Sequence, residues 1–503
     1  MQLADPVPQL ASVNKQLAAL DLGSNSFHLL VALETNERLQ FIDKHKEMVR
    51  LAAGLDAKNA LTDDVMQRAL DCLHRFAGRL RSLEIDNVRV VGTNTLRRAK
   101  NAKAFIAKAE QVLGHRIEII SGREEARLIY LGVSHDLGLV DNRRLIVDIG
   151  GGSTELILGR RSTAETLESL HMGCVSMSQR HFCNGKITKA NMQQAVDDAR
   201  VELEPLTQAF RDTGWDEAIG ASGSINAIHD VLRHANNDAP IDLDGLESIK
   251  AQLIDAGHID KLSLSGLSDE RRPVFPGGVA ILLGIFQALD LDKMATAQSA
   301  LREGLIYDLL GREQEDDTRA QTVRNVMQRY GVNETHARRV RETAQRLLSQ
   351  VAMSWQLTDP EHHNALSWAA ELHEIGMDIS HTGFHKHGEY LLAHMDMPGF
   401  SRSEQSQIAS LVRAHRRKLY AEWFNKNDRT RMRLTVLLRI AALLHRSRSH
   451  DALPHIDIEA KDRHVKLSLP ADWLETHSLA GLDLEQEQRY LSGIDVTLEI
   501  KAH

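Results

Sequence analysis

The sequence is poor in cysteine and aromatic residues, and it contains no long uninterrupted apolar run. Three cysteines, Cys72, Cys174 and Cys183, occur in 503 residues without a CxxC pair, which excludes a disulfide framework and predicts a reducing compartment. The longest apolar stretches, 279–286 and 434–444, are shorter than the roughly 20 residues of a membrane span. The N-terminus carries no basic segment followed by an apolar one. We therefore expect no transmembrane segment, no signal peptide and a cytoplasmic location, with peripheral attachment at the inner membrane left open.

The sequence also lacks an excess of positive charge. Lysine and arginine number 61 against 69 aspartates and glutamates, so the formal net charge is −8. Such a chain has no general attraction to nucleic acid, and we expect no nucleic-acid partner. Any anionic ligand must be held by a few local groups.

The hydrophobic pattern changes along the chain and predicts several domains. Strand-like and helix-like segments alternate up to about residue 311, apolar residues then recur at spacings of three and four, and alternation returns near the C-terminus. We expect two α/β lobes, an all-helical domain and a small α+β domain. The boundaries predicted are a flexible N-terminus at 1–16, lobes at 17–131 and 132–311, the helical domain at 312–450 and the α+β domain at 451–503.

A glycine- and serine-rich motif occurs twice, each time between two apolar runs. Residues 21–26, DLGSNS, and residues 148–153, DIGGGS, both read Asp-x-Gly-x-x-Ser. Glycines allow close backbone approach, and successive amides in a tight turn converge on an anion. A strand follows each turn, so the helix of a dinucleotide fingerprint is missing, as is the lysine of a Walker loop. The repeat predicts two halves that face one phosphate-binding site.

We assign phosphate binding to the small residues of these motifs and of a third loop, GASGS at 220–224, which precedes a predicted helix. An aspartate at a strand end does not itself attract phosphate, and its expected partner is Mg²⁺, which bridges carboxylate and phosphate oxygens. The phosphate-binding candidates are Gly23, Ser24, Asn25, Ser26, Gly150, Gly151, Gly152, Ser153, Gly223 and Ser224.

Seven segments occur together in an order that resembles the exopolyphosphatase and guanosine pentaphosphate phosphohydrolase (Ppx/GppA) family, in its long form. They are DLGSNSFHLL, VVGTNTLRRAKNAKAF, IISGREEARLIYLGV, IVDIGGGSTELILG, MGCVSMSQRHF, GASGSINAI and ALREGLIYDLL. The resemblance covers the chain from residue 17. It implies two duplicated lobes of the actin-like ATPase (ribonuclease H-like) fold, then an all-α HD-like domain and a small α+β C-terminal domain.

The resemblance also implies a reaction, the Mg²⁺-dependent removal of the terminal phosphate from inorganic polyphosphate or from guanosine pentaphosphate. We take an exopolyphosphatase as the leading interpretation and a guanosine pentaphosphate 5′-phosphohydrolase as the alternative, because the shared motifs do not separate the two. A sugar kinase or heat-shock-type ATPase of the same fold, and a nucleotide-sensing regulator, are further hypotheses. A homodimer is expected by resemblance.

The family's catalytic glutamate corresponds to Glu125, which would activate the attacking water. From chemistry alone Glu124 or Glu125 could serve, because neighbours on a helix point about 100° apart and only one can face a cleft. Arg97 corresponds to the family's arginine and could clamp phosphate oxygens. The carboxylates proposed to hold the metal are Asp21, Asp148 and Glu155.

Fifteen of the 25 histidines follow residue 330, in a pattern that resembles the HD metal-dependent phosphohydrolase superfamily. Glu374 stands where that superfamily has aspartate, and His445 where it has a late aspartate. We therefore expect a packed HD-like scaffold rather than a second catalytic metal site. Basic residues such as Arg416 and Arg417 could instead line a track for a long polyanion.

Overall fold

A computed structural model describes residues 15–35, 38–236, 240–313, 317–424, 429–449 and 451–503. Most of the predicted flexible N-terminus, residues 1–14, lies outside the described residues. The contacts between residues divide the chain into two units, Met1–Asp317 and Thr318–His503. Each unit is described by itself.

The first unit is α/β. Its strands are β1 (Lys15–Leu22), β2 (Phe27–Thr35), β3 (Arg38–Glu47), β4 (Val88–Gly92), β5 (Glu118–Ile119), β6 (Arg144–Ile149), β7 (Thr154–Arg160), β8 (Thr163–Leu170), β9 (Glu217–Ala221), β10 (Ile241–Asp242) and β11 (Lys293–Thr296). Its helices are α1 (Asp63–Leu80), α2 (Asn94–Arg98), α3 (Ala102–Leu113), α4 (Gly122–Asp136), α5 (Cys174–His181), α6 (Lys189–Thr213), α7 (Ser222–Asn236), α8 (Leu243–Ala256), α9 (Phe275–Leu289) and α10 (Leu301–Glu313).

Two sheets repeat one topology. The first has the order β3-β2-β1-β4-β5, and the second has the order β10-β11-β9-β6-β7-β8. In each, the strand that precedes the glycine-rich turn pairs antiparallel with the next strand and parallel with a later one, β4 or β9. The turns at 21–26 and 148–153 therefore occupy equivalent positions at the ends of β1 and β6. The sheets carry the duplication that the two motifs predict.

The region between the two sheets is filled by α4 and α10. Apolar residues from both sheets and both helices form one buried cluster, which includes Leu17, Ile129, Ile146 and Leu305. The lobe boundary predicted at residue 131 lies within α4, which runs to Asp136. The helix packs on the second sheet as well as on α10, so its residues belong to the core that joins the lobes.

Two local features differ from the sequence-based expectations. The sequence pattern predicts one helix from about residue 96 to 113, but extended backbone at Ala99 separates α2 from α3. The side chain of Asn101 holds this break, because it accepts from Leu61 N at 2.8 Å and donates to Leu61 O at 2.9 Å. The ASGS segment was expected to be a loop, but β9 ends at Ala221 and α7 begins at Ser222. Ser222, at φ 77°, makes the whole turn.

One segment, Arg272–Leu289, is long and apolar enough to cross a membrane by length and composition. It contains α9, and 72% of it is buried inside the protein. Helix α9 packs against α5, α6, α7 and α8, so its apolar surface is covered by neighbouring helices. A buried core helix can meet the same criteria of length and apolar composition.

The second unit is mainly helical and carries a three-stranded sheet in the order β12-β13-β14. Its core is continuous, because buried residues from the first helix, such as Val323, and from the last strand, such as Leu498, belong to one cluster. The tail at 451–503 therefore shares its core with the helices before it. The elements are α11 (Thr318–Arg329), α12 (Glu334–Val351), α13 (Pro360–Leu372), α14 (Phe384–His394), α15 (Arg402–Ala414), α16 (Arg429–Leu444), β12 (Asp457–Lys461), β13 (His464–Leu469), α17 (Ala471–Thr476), α18 (Ser478–Ser492) and β14 (Thr497–Ala502).

Candidate active site

A cleft of about 440 Å³ in the first unit is lined by both repeated turns and by the start of α7. Strand ends β1 and β6 supply an aspartate each, α4 supplies a glutamate, and α7 supplies small polar residues. Most of the sequence-predicted site residues meet here. Those that line the cleft are Asp21, Gly23, Ser24, Asn25, Ser26, Glu125, Asp148, Gly150, Gly151, Ser153, Gly223 and Ser224.

The two turns lie directly against each other. A Cβ atom added to Gly151 would lie 3.0 Å from the Cβ of Ser24, and one added to Gly152 would lie 2.7 Å from Oδ1 of Asn94. A side chain at Gly151 would press on the first turn, and one at Gly152 would overlap Asn94 at the start of α2, so glycine is required by the close approach. Among the described residues, no acceptor is found for the backbone amides of Ser24, Asn25 and Gly151. These N–H groups are free to bind an anion.

The third loop contributes a helix N-terminus. Oγ of Ser222 donates to Ile149 O at 3.0 Å, which ties the start of α7 to the end of β6. A Cβ on Gly223 would lie 1.7 Å from Nη2 of Arg271, so this guanidinium rests on the glycine backbone. The positive end of the α7 dipole and the Arg271 charge therefore face the same part of the cleft.

Buried carboxylates lie in the cleft and directly beside it. Burial, followed by the charge of Glu125, raises the pKa of Asp21 to about 8. The same two causes raise the pKa of Asp148 to about 7. Burial and the charges of Glu125 and Asp148 hold the pKa of Glu155 well above its ordinary value. These four acidic groups, Asp21, Glu125, Asp148 and Glu155, lie close together and are buried. They need a compensating cation if all four are to be ionised.

Glu125 faces the cleft, whereas its neighbour Glu124 does not. Helix α4 begins after Ser121, whose hydroxyl accepts from Glu124 N at 3.1 Å. The Glu124 carboxylate is bound bidentately by Arg127, with both distances 2.8 Å, and is buried away from the cleft. The helical turn thus gives the two glutamates opposite surroundings, and Glu125 is the one that could reach a bound phosphate.

Three predicted residues do not line the cleft. Arg97 donates from Nη1 to Glu125 Oε2 at 2.7 Å and to Ile120 O at 3.0 Å, so its guanidinium holds the glutamate. Glu155 is buried and accepts from Oγ of Ser169 at 2.9 Å. Gly152 packs against Asn94 at the start of α2. The roles assigned to these residues from the sequence stay predictions.

The cleft has cationic side chains that were not predicted from the sequence, namely Lys46, Arg271 and Arg302. They come from strand β3, from the segment before α9 and from the first turn of α10. Arg302 Nη1 also lies 3.2 Å from Nδ1 of His28, whose Nε2 lies 2.7 Å from Ser26 Oγ. Arg302 stands in the ALREGLIYDLL segment, which could have indicated it. Lys46 and Arg271 have no comparable local signal.

The residues of the cleft fit a hard divalent cation. Asp21 Oδ1 is buried and has no hydrogen-bond partner among the described residues, and carboxylate oxygen is the ligand type that Mg²⁺ prefers. Across the described residues, the acids of the cleft do not form a group of three ligand atoms within 4.8 Å of one another. A cation here would therefore use one or two carboxylates together with phosphate oxygens and water, as Mg²⁺ commonly does.

The duplicated sheets, the two facing turns with free amides, and a glutamate in an acidic cleft define a duplicated α/β protein with a cleft suited to anionic ligands. Two family models match the chain, the Ppx/GppA phosphatase family over residues 30–313 and the Ppx/GppA phosphatase domain III over residues 318–488. The chain belongs to the Ppx/GppA phosphatase family. This confirms the resemblance inferred from the sequence, and the second match begins where the contacts divide the chain.

The chain is similar over nearly its whole length to curated bacterial proteins. The guanosine-5'-triphosphate,3'-diphosphate pyrophosphatase of Vibrio cholerae is 41% identical over 488 residues, which is 97% of this chain and 98% of that protein. The protein of the same name from Aeromonas hydrophila subsp. hydrophila is 41% identical over 474 residues, 93% of this chain and 95% of that protein. These matches therefore span both units of the chain.

Solved structures share the fold at lower identity. An exopolyphosphatase from Cytophaga hutchinsonii superposes with a TM-score of 0.55 at 23% identity, covering 59% of this chain and 98% of that one. The PPX-GPPA enzyme of Aquifex aeolicus superposes with a TM-score of 0.50 at 22% identity, covering 58% of this chain and 99% of that one. These matches support the duplicated, actin-like α/β fold.

Proposed function

We propose that the cleft hydrolyses the terminal phosphoanhydride of guanosine-5'-triphosphate,3'-diphosphate, with inorganic polyphosphate as a second substrate class. The observation that carries this is the position of Glu125, whose carboxylate lies in the cleft that both phosphate-binding turns line. A base and a set of anion-binding groups therefore share one cavity.

Glu125 is the general base. Its carboxylate accepts a proton from water, the water oxygen forms a bond to the terminal phosphorus, and the bridging P–O bond breaks to release inorganic phosphate. Arg97, bonded to Glu125 Oε2 at 2.7 Å, fixes the direction of that carboxylate. We therefore assign Arg97 a positioning role, in place of the phosphate clamp predicted from the sequence.

The phosphates are held by the turns and by the cationic side chains. The free amides of Ser24, Asn25 and Gly151 would donate to phosphate oxygens, with the α7 N-terminus on one side. Arg271 and Arg302 supply charge-assisted hydrogen bonds to a ligand that carries several negative charges. Transition-state charge on the equatorial oxygens is then stabilised by groups that need no reorganisation.

Mg²⁺ is the proposed cofactor, and Asp21 and Asp148 are its candidate ligands in the cleft. Glu155, predicted from the sequence as a third ligand, is buried beside Asp148 and does not line the cleft. When bound, it supplies positive charge that neutralises phosphate oxygens and compensates the buried carboxylates. The support is the orphaned Oδ1 of Asp21 and the oxygen-rich donor set.

We predict that Asp148→Asn raises the Mg²⁺ concentration for half-maximal activity by about tenfold or more, since a direct or water-bridged ligand loses its charge. Phosphate release measured across a Mg²⁺ titration tests this. Asp230→Asn is the matched control, because Asp230 lines the same cleft but belongs to α7 and not to a strand end beside a phosphate-binding turn. An unchanged Mg²⁺ requirement in Asp148→Asn contradicts the metal assignment.

We also predict that Arg271→Met raises KM by about 10- to 100-fold, the value of one charge-assisted hydrogen bond. No carboxylate pairs with Arg271 among the described residues, so its charge is available to a ligand. The adjacent Arg272→Met serves as the control, because Arg272 pairs with Asp269 and does not line the cleft. Steady-state kinetics at constant ionic strength should separate the two variants, and equal KM values would remove Arg271 from the binding site.

The order of the two substrates is taken from the relatives, whose name specifies the guanosine compound, whereas the exopolyphosphatase of known structure matches at 23% identity. Polyphosphate is retained because free amides and arginines recognise phosphate oxygens whatever group the phosphate chain is attached to. Both activities expected from the sequence therefore remain proposed. The guanosine pentaphosphate phosphohydrolase, which was the alternative there, is now placed before the exopolyphosphatase.

The deciding experiment measures phosphate release from guanosine-5'-triphosphate,3'-diphosphate and from long-chain polyphosphate, side by side at equal Mg²⁺. We expect a higher kcat/KM for the guanosine compound. A higher value for polyphosphate reverses the order, and turnover of neither overturns the proposal. The homodimer and the cytoplasmic location stay predictions; sedimentation velocity tests the former and cell fractionation the latter.

A further inference from the structure

We propose that His336, His373 and Glu374 in the second unit bind a divalent transition-metal ion, with Zn²⁺ as the expected metal. The site is separate in sequence and in residues from the phosphate cleft. It lies in a cavity of about 360 Å³ lined by residues of the second unit. Among the described residues, these three side chains are the only group of three potential ligands whose ligand atoms all lie within 4.8 Å of one another.

The distances suit a small metal ion. Nε2 of His336 lies 3.7 Å from Oε1 of Glu374, and Nε2 of His373 lies 3.9 Å from the same oxygen. Ligands at 2.0–2.2 Å in a tetrahedral zinc site are separated by about 3.4 Å. The ligand atoms of the two histidines lie within 4.8 Å of each other as well, so the three groups would approach one another by at most about 1.4 Å to bind one ion. Two imidazoles and one carboxylate form a common zinc ligand set with one open position.

The surroundings of the two histidines prepare them as ligands. Nδ1 of His373 lies 2.7 Å from Ala370 O, so it carries the proton and leaves Nε2 as the acceptor that faces Glu374. His336 Nδ1 is buried without a partner among the described residues, so no competing hydrogen bond fixes this ring.

Positive charge in the cavity opposes the metal. The cavity is lined by five arginines, Arg416, Arg417, Arg439, Arg446 and Arg448. Of these, Arg448 contacts a proposed ligand directly, because its Nη2 lies 2.7 Å from both oxygens of Glu374. The Arg448 side chain is 44% exposed, and it can move into solvent at little cost when a divalent cation replaces its charge. Arg448 is thus a competitor for Glu374, and its removal should strengthen metal binding.

This group was not predicted from the sequence. Glu374 and His445 were counted there as departures from the His-Asp pattern of the HD superfamily. His336 lies in the first turn of α12, outside any motif, and reaches the pair only through the packing of α12 on α13. The inference concerns metal binding and is independent of the phosphatase reaction.

The test is a titration of the chelator-treated, full-length protein with Co²⁺, followed by visible d–d absorption, and then displacement by Zn²⁺. We expect one Co²⁺ per chain at this site. His373→Ala and the near-isosteric Glu374→Gln should each weaken binding by at least about 10- to 100-fold. Circular dichroism of each variant without metal establishes that it folds. Arg448→Ala should bind more tightly than the unmodified protein.

Two controls make the result specific. His381→Ala, in the same cavity but outside the three ligands, and Asp148→Asn, in the phosphate cleft, should both retain the Co²⁺ spectrum. Zn²⁺ should also raise the thermal unfolding midpoint of the unmodified protein. The proposal is overturned if the unmodified protein gives no d–d absorption, whatever Arg448→Ala does, or if Glu374→Gln and His373→Ala leave the spectrum and affinity unchanged.

Discussion

Glu125→Gln should lower kcat by about 10²–10⁴, the usual contribution of a positioned general base, while KM stays unchanged. Glutamine keeps the size of the side chain and still accepts the hydrogen bond that Arg97 donates. It removes the negative charge that takes a proton from water. Because the fold and the phosphate contacts remain, the loss falls on the chemical step, and single-turnover phosphate release measures it directly.

The control for this variant is Glu168→Gln, which removes a carboxylate paired with Arg123 near the other side of α4 and outside the cleft. It should retain full activity. A loss in Glu125→Gln smaller than about tenfold would contradict the assignment of the general base. The same measurement with either substrate gives the same test, since both present one terminal phosphoanhydride to Glu125.

The parts of the site that were predicted from the sequence are those encoded locally. The turns at 21–26 and 148–153 bring their own strands, so their positions at the ends of β1 and β6 follow from the motif. The choice between Glu124 and Glu125 required the family resemblance, because adjacent helical residues carry the same chemistry. The structure separates them by their partners, Arg127 for Glu124 and Arg97 for Glu125.

The parts that could not be predicted depend on contacts between distant segments. Lys46, Arg271 and Arg302 come from three elements and meet only when the two sheets face each other. The break between α2 and α3 likewise depends on a contact between Asn101 and Leu61, 40 residues apart. Hydrophobic periodicity indicates which face of a segment is buried, but it does not indicate which other segment covers that face. Contacts between distant segments therefore cannot be predicted from it.

A buried ion network that joins the two lobes could not be predicted from the local sequence either. Asp308 of α10 accepts from Arg89 Nη1 and from Arg127 Nη2, both at 2.5 Å, and from Arg312 Nε at 3.1 Å. Arg89 is 1% exposed and Asp308 5%. Burial alone would raise the pKa of Asp308, but Arg127, Arg89 and Arg312 together hold it below its usual range.

Asp308→Asn should destabilise the first unit by about 3–5 kcal/mol, because removing one partner leaves buried guanidinium charge uncompensated. A lowered carboxylate pKa contributes stability above the unfolded pKa of about 3.9, and this is lost as pH falls through the folded value. The difference in the free energy of unfolding between Asp308→Asn and the unmodified protein should therefore be constant from about pH 6 to 8 and become smaller only in strong acid.

Native-state hydrogen exchange measures the stability of each unit separately. A separate measurement is needed because the two units need not unfold together. Peptides from α4 and α10 should lose protection in Asp308→Asn, whereas peptides from α12 in the second unit should keep theirs. Asp141→Asn, which removes an exposed pair with Arg161, should leave both sets unchanged. If α4 and α10 remain as protected as before, the network contributes no net stability, and apolar packing between the sheets alone holds the two lobes together.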